Sequence, residues 1–219
     1  MFRDRREAGR LLAEKLKWYR DQGEVLVLAL PRGGVITGIE IARYLHVPLD
    51  VLIVRKIGAP LQPELAAGAV AETGAVVLNP HVLSSYGIPK EYIRSEIARQ
   101  EEEISRIREI YREGKGIATL EGTVIVVDDG VATGATVKAA IETLKKGRMK
   151  RLVVALPVAP SDTAEELRRI VDEFICLETH GDFMAVGNYY DDFSQVTDEE
   201  VVRLLREYRV RGKEGREKG

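Results

Sequence analysis

Apolar residues recur at intervals of three and four near the start of the chain, at Ala8, Leu11, Leu12, Leu16 and Tyr19. This spacing predicts an amphipathic helix capped by Asp4, ending near Gly23, with Trp18 on its packed face. Val25 to Leu30 is a continuous apolar run bounded by Gly23 and Pro31-Arg32-Gly33-Gly34, which suits a strand buried on both faces. A helix from Val35 to Leu45 and a strand from Leu49 to Val54 complete a βαβ unit and predict a parallel sheet with a right-handed crossover. Two prolines within Ala59 to Glu64, and a turn at Thr73-Gly74 inside Gly68 to Leu78, predict a mobile hairpin or flap. Pro89 opens a long, charged helix to Glu113 built on Ile93, Ile97, Ile104, Ile107 and Tyr111, a partly exposed excursion from the sheet. Alternation then resumes: strand Val124 to Val127, helix Gly134 to Lys146, strand Leu152 to Leu156, helix Ser161 to Val171, strand Phe174 to Leu177. Thr197 caps a last helix to Tyr208, and Arg211 to Gly219 reads as a frayed tail. No internal repeat interrupts this order.

With 219 residues, 45% of them hydrophobic, the chain can bury one substantial core, whereas two full domains would be cramped. Its 33 basic and 35 acidic residues nearly cancel, so nothing global draws it to nucleic acid or a membrane, and any anion site must be local. Cys176 stands alone, which excludes an internal disulfide and fits a reducing cytoplasm. No apolar run approaches the ~20 residues a bilayer span needs. Charged residues make up 31% of the chain while Asn and Gln are scarce, a composition of heat-adapted proteins.

The chemistry concentrates where Val124 to Val127 gives way to Asp128-Asp129 and then to Gly130-Val131-Ala132-Thr133-Gly134-Ala135-Thr136. The acids fall at the end of a parallel strand, the place where open α/β sheets put ligands. Beyond them a loop of small residues enters a helix N-terminus, whose unpaired N–H groups and positive dipole end favour a phosphate. Thr133 and Thr136 add hydroxyl donors. Two carboxylates cannot share the phosphate's own pocket, so they face hydroxyls, a metal ion or developing positive charge. Ribose hydroxyls beside a 5-phosphate satisfy that arrangement.

VIVVDDGVATGAT resembles the thirteen-residue motif by which type I phosphoribosyltransferases bind phosphoribosyl pyrophosphate, PRPP. The resemblance implies an open, doubly wound α/β sheet of Rossmann-like type, with a core at 25–178, a flexible loop at 57–71, a helical insertion at 89–113, a small hood at 179–196 and a C-terminal helix from 197. It implies that Asp128 and Asp129 engage the ribose hydroxyls while Ala132, Thr133, Gly134, Ala135 and Thr136 wrap the 5-phosphate. Arg32, Gly33 and Gly34 resemble the family's pyrophosphate loop, and Arg55 and Lys56 its basic pair. In the hood, Val186 to Asp191 resembles the segment in which hypoxanthine-guanine enzymes carry an aspartate that assists Mg²⁺, here Asp191. Phe183, Tyr189 or Tyr190 would stack on the base. Two features depart from those enzymes: Ala132 replaces the acid before Thr133-Gly134, as in adenine enzymes, and Pro157-Val158-Ala159-Pro160 replaces their lysine.

The activity implied is Mg²⁺-dependent transfer of a 5-phosphoribosyl group from PRPP to a small nitrogenous base, through an oxocarbenium-like transition state, with a homodimer as candidate assembly. Arg32, Arg55 and Lys56 would neutralise the leaving group, and Glu64 or Glu72 would give acid/base help. A non-catalytic PRPP or nucleotide sensor on the same fold is the rival. A dinucleotide-binding protein is disfavoured because no G-x-G-x-x-G follows the first strand. His46, His81 and His180 lack metal-ligand spacing and read as structural, and Cys176 reads as core.

Overall fold

The computed structural model describes residues 1–117 and 121–216, with the side chains of Glu64 and of residues 210–216 outside the description. Five parallel strands form the main sheet in the order β2-β1-β6-β7-β8: β1 (Val25–Ala29), β2 (Leu49–Val51), β6 (Thr123–Val127), β7 (Arg151–Pro160) and β8 (Glu173–His180). Side chains alternate across the strands, so β6 sends Val124 and Val126 to one face and Ile125 and Val127 to the other. Helices α1 (Arg5–Lys15) and α2 (Gly33–Leu45) cover the second of these faces. Helices α5 (Ala135–Lys145) and α6 (Ser161–Ile170) cover the first, which gives the doubly wound arrangement expected. Each fully buried Leu or Ile adds roughly 1.5–3 kcal/mol by leaving water.

A second sheet, antiparallel and three-stranded, follows β2: β3 (Val54–Ala59), β4 (Gln62–Ala71) and β5 (Val76–Leu78). The expected single strand from Leu49 to Val54 is therefore split between two sheets. Leu52 N–H still donates to Ala29 of the main sheet, but Ile53 N–H donates to the Glu72 carboxylate at 2.9 Å and Ile53 C=O accepts from Glu72 N–H. These bonds pull the chain out of the first sheet one residue before β3 begins. Helices α3 (Pro80–Ser85), α4 (Lys90–Arg112) and α7 (Asp198–Arg216) pack with α2 and the small sheet around a further apolar cluster.

Three other expectations change. The first helix stops at Lys15, and a 3-10 turn over Lys17–Tyr19 sends Tyr19 inward while leaving Trp18 70% exposed, off any packed face. Strands β7 and β8 run past their expected ends, pairing as far as Pro160 and His180. The last helix passes Tyr208 and continues to Arg216, although Gly212 and Gly215 each cost it about 1 kcal/mol against alanine; the rest of the tail expected to fray, 217–219, lies outside the described residues. Asp4 and Thr197 cap their helices as expected, accepting from the N–H groups of Glu7 and Glu200. Among the described residues no helix is long and apolar enough to cross a membrane.

Candidate functional site

The carboxyl ends of β1 and β6 place the two glycine-containing turns side by side. Gly134 enters α5 with φ +69°, a left-handed conformation that suits glycine, and a β-carbon there would lie 2.8 Å from the Thr163 methyl. Thr163 in the first turn of α6 also donates its hydroxyl to Ala132 C=O at 3.2 Å, propping the loop from behind. Ala132 to Thr136 thus leads into a helix start whose first amides lack helical partners, the Ala135 N–H turning back to Thr133 Oγ1 at 3.4 Å.

Opposite it, Pro31 to Gly34 joins β1 to α2, and the Pro31–Arg32 peptide is cis. The glycines permit direct contact with the acid pair: a β-carbon on Gly34 would meet the Asp128 Cα at 2.9 Å, and one on Gly33 would sit 1.8 Å from Asp129 Oδ2. No side chain fits at either position, so this turn and the acids form one unit.

The two acids have different surroundings. Asp129 Oδ2 accepts from Arg5 Nε at 2.6 Å, in an ion pair whose side chains are 9% and 14% exposed. Arg5 also donates to Ser194 C=O at 2.9 Å and lies 3.8 Å above the Phe193 ring. Asp128, half-buried, accepts the Asp129 N–H at 2.9 Å. Burial, then the neighbouring Asp129 charge, pushes the Asp128 carboxyl well above the usual carboxylate range.

Arg55 and Lys56 lie on β3, opposite Val70 and Ala69. A cavity of about 460 Å³ brings them together with Pro31, Asp128 and Thr136, and its far wall is α4. A neighbouring cavity of about 440 Å³ is lined by Arg32, Arg55, Arg106 and Asp198. The two cavities share Pro31, Val54 and Arg55, whereas Thr133 and Ala135 of the small-residue loop line a third cavity, with β4, β5 and α3.

The hood is held by the chain's first residues. Phe2 bridges to Tyr190: its N–H donates to Tyr189 C=O and its C=O accepts from Asp191 N–H, both at 2.8 Å. Tyr190, expected to meet substrate, is instead buried with its ring 5.4 Å from Phe2 and 5.0 Å from Phe193. Its hydroxyl donates to Asp129 C=O at 2.6 Å, so it supports the acid pair from behind. Tyr189 stacks on Phe183 at 5.0 Å and packs against His180 at 4.4 Å. Asp191 is exposed.

Glu72, a candidate for acid/base help, is locked elsewhere: it pairs with Arg112 of α4, which also lies 3.7 Å from Asp50. Burial raises its carboxyl's affinity for a proton, but the cluster anchors α4 to the small sheet. The Glu64 side chain lies outside the described residues. Cys176 is partly buried, its thiol pushed up to about 11 by burial, as suits a core residue. Among the described residues no group of three or more His, Cys, Asp and Glu is arranged to hold a metal by itself. A Mg²⁺ ion fits such a site only by sharing substrate oxygens and water with one or two carboxylates.

Residues 2–193 match the family model described as the phosphoribosyl transferase domain. Two Mycobacterium tuberculosis proteins, MT0597 of strain CDC 1551 and Rv0571c of strain H37Rv, whose names give phosphoribosyl transferase provisionally, are each 42% identical over 206 residues, or 94% of this chain. The chain spans about half the length of these curated relatives, 46%. TT1426 from Thermus thermophilus, a crystal structure, aligns with a TM-score of 0.79 at 45% identity, covering 94% of this chain and 98% of that one.

Proposed function

Because this chain belongs to the phosphoribosyl transferase domain family, we propose that it transfers the 5-phosphoribosyl group of PRPP to a small nitrogenous base and releases pyrophosphate. The observation that carries this reading is the single cavity bordered by Asp128, Thr136, Arg55, Lys56 and the pyrophosphate-type turn at Pro31.

In this reading the 5-phosphate rests on the amides of Ala132 to Thr136, and Asp128 faces the ribose hydroxyls. Asp129, held by Arg5, fixes the acid pair against Gly33. Arg32, Arg55 and Lys56 meet the pyrophosphate, whose charge grows as its bond to the anomeric carbon breaks, and so stabilise the transition state more than the ground state. Asp128, which lines the cavity, is a carboxylate that would share Mg²⁺ with substrate oxygens and water, and Asp191 is the hood candidate that the family resemblance adds; Mg²⁺ when bound would supply further neutralisation of the leaving group. The β3–β4 hairpin lies where it can exclude water from an oxocarbenium-like centre. Tyr189 and Phe183 remain the aromatic candidates for the base.

One observation favours a second reading, a PRPP sensor without turnover: Tyr189 already stacks on Phe183 and His180, and Tyr190 is buried, so the hood's aromatic rings are occupied with one another. A screen of bases with PRPP and Mg²⁺, detecting pyrophosphate, separates the two. Release with any base supports the transferase. PRPP binding without release from any base supports the sensor.

A further inference from the structure

Helix α4 carries its apolar side chains at Ile93, Ile97, Ile104, Ile107 and Tyr111, and position 100 falls in that same seam. Yet it holds glutamine, 4% exposed, where the pattern asks for an aliphatic residue. A buried amide is costly unless its oxygen and nitrogen both find partners. Gln100 has both. Its Nε2 donates to Glu96 Oε1 at 2.7 Å, and its Oε1 accepts from Arg55 Nε at 3.2 Å. The orientation is chemically forced, because a carboxylate only accepts and a guanidinium only donates.

We infer that α4 is a working wall of the ligand site, and that Gln100 is a positioning residue that aims Arg55 at the pyrophosphate of PRPP. The inference rests on the PRPP reading above. Arg55 stands at the junction of the two cavities, on a hairpin that has left the main sheet. An arginine side chain there has many rotamers to lose on meeting a ligand unless another side chain already holds it. Held at Nε, the guanidinium keeps its remaining N–H donors for a ligand, as the fork that matches phosphate oxygens. Glu96 completes the relay by fixing the amide that fixes the arginine. Tyr92 locks the same stretch of helix to the hairpin through its hydroxyl, which donates to Gly58 C=O at 3.0 Å.

The test measures affinities for PRPP, inorganic pyrophosphate and ribose 5-phosphate by calorimetry, on wild type, Gln100→Leu, Arg55→Ala and the double variant. Leucine suits both the apolar seam and the helix, and Gln100→Met serves if Gln100→Leu does not fold. Gln100→Leu is expected to weaken PRPP and pyrophosphate about tenfold, the scale of one charge-assisted hydrogen bond, with ribose 5-phosphate unchanged. The double variant is expected to bind no worse than Arg55→Ala, since Gln100 acts only through Arg55. Equal loss for ribose 5-phosphate and PRPP, no loss for any ligand, or losses that multiply in the double variant would overturn the inference. Wild type that binds none of the three ligands would instead overturn the PRPP reading itself.

Discussion

The two ends of the cavity are built by different means. At the end where the proposed reading puts the 5-phosphate, backbone would make the contacts: a run of small residues, a left-handed glycine at 134 and a helix start, braced by Thr163. At the end where that reading puts the pyrophosphate, long side chains would make them, Arg32, Arg55 and Lys56, the second of them held by α4. A backbone cradle is preorganised by the turn that makes it and is contiguous in sequence. A side-chain wall must be ordered by other side chains, from distant segments. The acid pair joins the two ends, and its own fixing point, Arg5, lies 124 residues away.

The largest effect is expected at that joint. Arg5→Met leaves the Asp129 charge buried without its cation and should cost about 3–5 kcal/mol of stability. Adding Asp129→Asn should recover much of it. Urea denaturation of the two variants checks this, and equal stabilities would remove Arg5 from the account.

At the phosphate end, Gly134→Val forces a β-branched residue into a left-handed conformation beside Thr163. Ribose 5-phosphate and PRPP should lose affinity equally, roughly a hundredfold, the scale of one or two charge-assisted hydrogen bonds. At the pyrophosphate end, Lys56→Ala should weaken PRPP about tenfold and spare ribose 5-phosphate. With an accepted base, its turnover should fall by more than its PRPP affinity. Calorimetry on both variants with both ligands, beside pyrophosphate release, reads the contrast. A Gly134→Val variant that discriminates between the ligands, or a Lys56→Ala variant that does not, would erase the distinction between the ends.

The smallest effect concerns the free protein. Because the Asp128 carboxyl is raised above its unfolded value, the folded state holds that proton more tightly. The stability it contributes is full below the ordinary carboxylate pKa and is lost as pH rises through the raised value. Asp128→Asn should therefore melt higher than wild type at neutral pH, with the gap closing as pH falls toward about 4. A gap independent of pH would contradict the burial assigned to Asp128.

What the sequence disclosed follows the same division. The β6 motif, the βαβ unit and the glycine turns were legible because each is local and periodic. The break between β2 and β3 was not, since Leu49 to Val54 is one apolar run and the switch of sheets depends on Glu72. Tyr189 and Tyr190 are adjacent aromatics, and it takes the distant Phe2 and Phe193 rings and the Asp129 carbonyl to turn Tyr190 inward. Arg5 looked like one of several charged residues on α1. Its burial depends on contacts with the hood and the acid pair. Gln100 did leave a signal, a polar residue in an apolar seam, but its meaning required Arg55.

In the proposed reading one ligand spans both ends, with ribose held between its phosphate and pyrophosphate. Calorimetric titration of the wild-type chain with PRPP, ribose 5-phosphate and pyrophosphate, each with Mg²⁺, tests it directly. PRPP is expected to bind at least about tenfold more tightly than either half, because both ends are engaged by one molecule. PRPP binding no tighter than ribose 5-phosphate would contradict it.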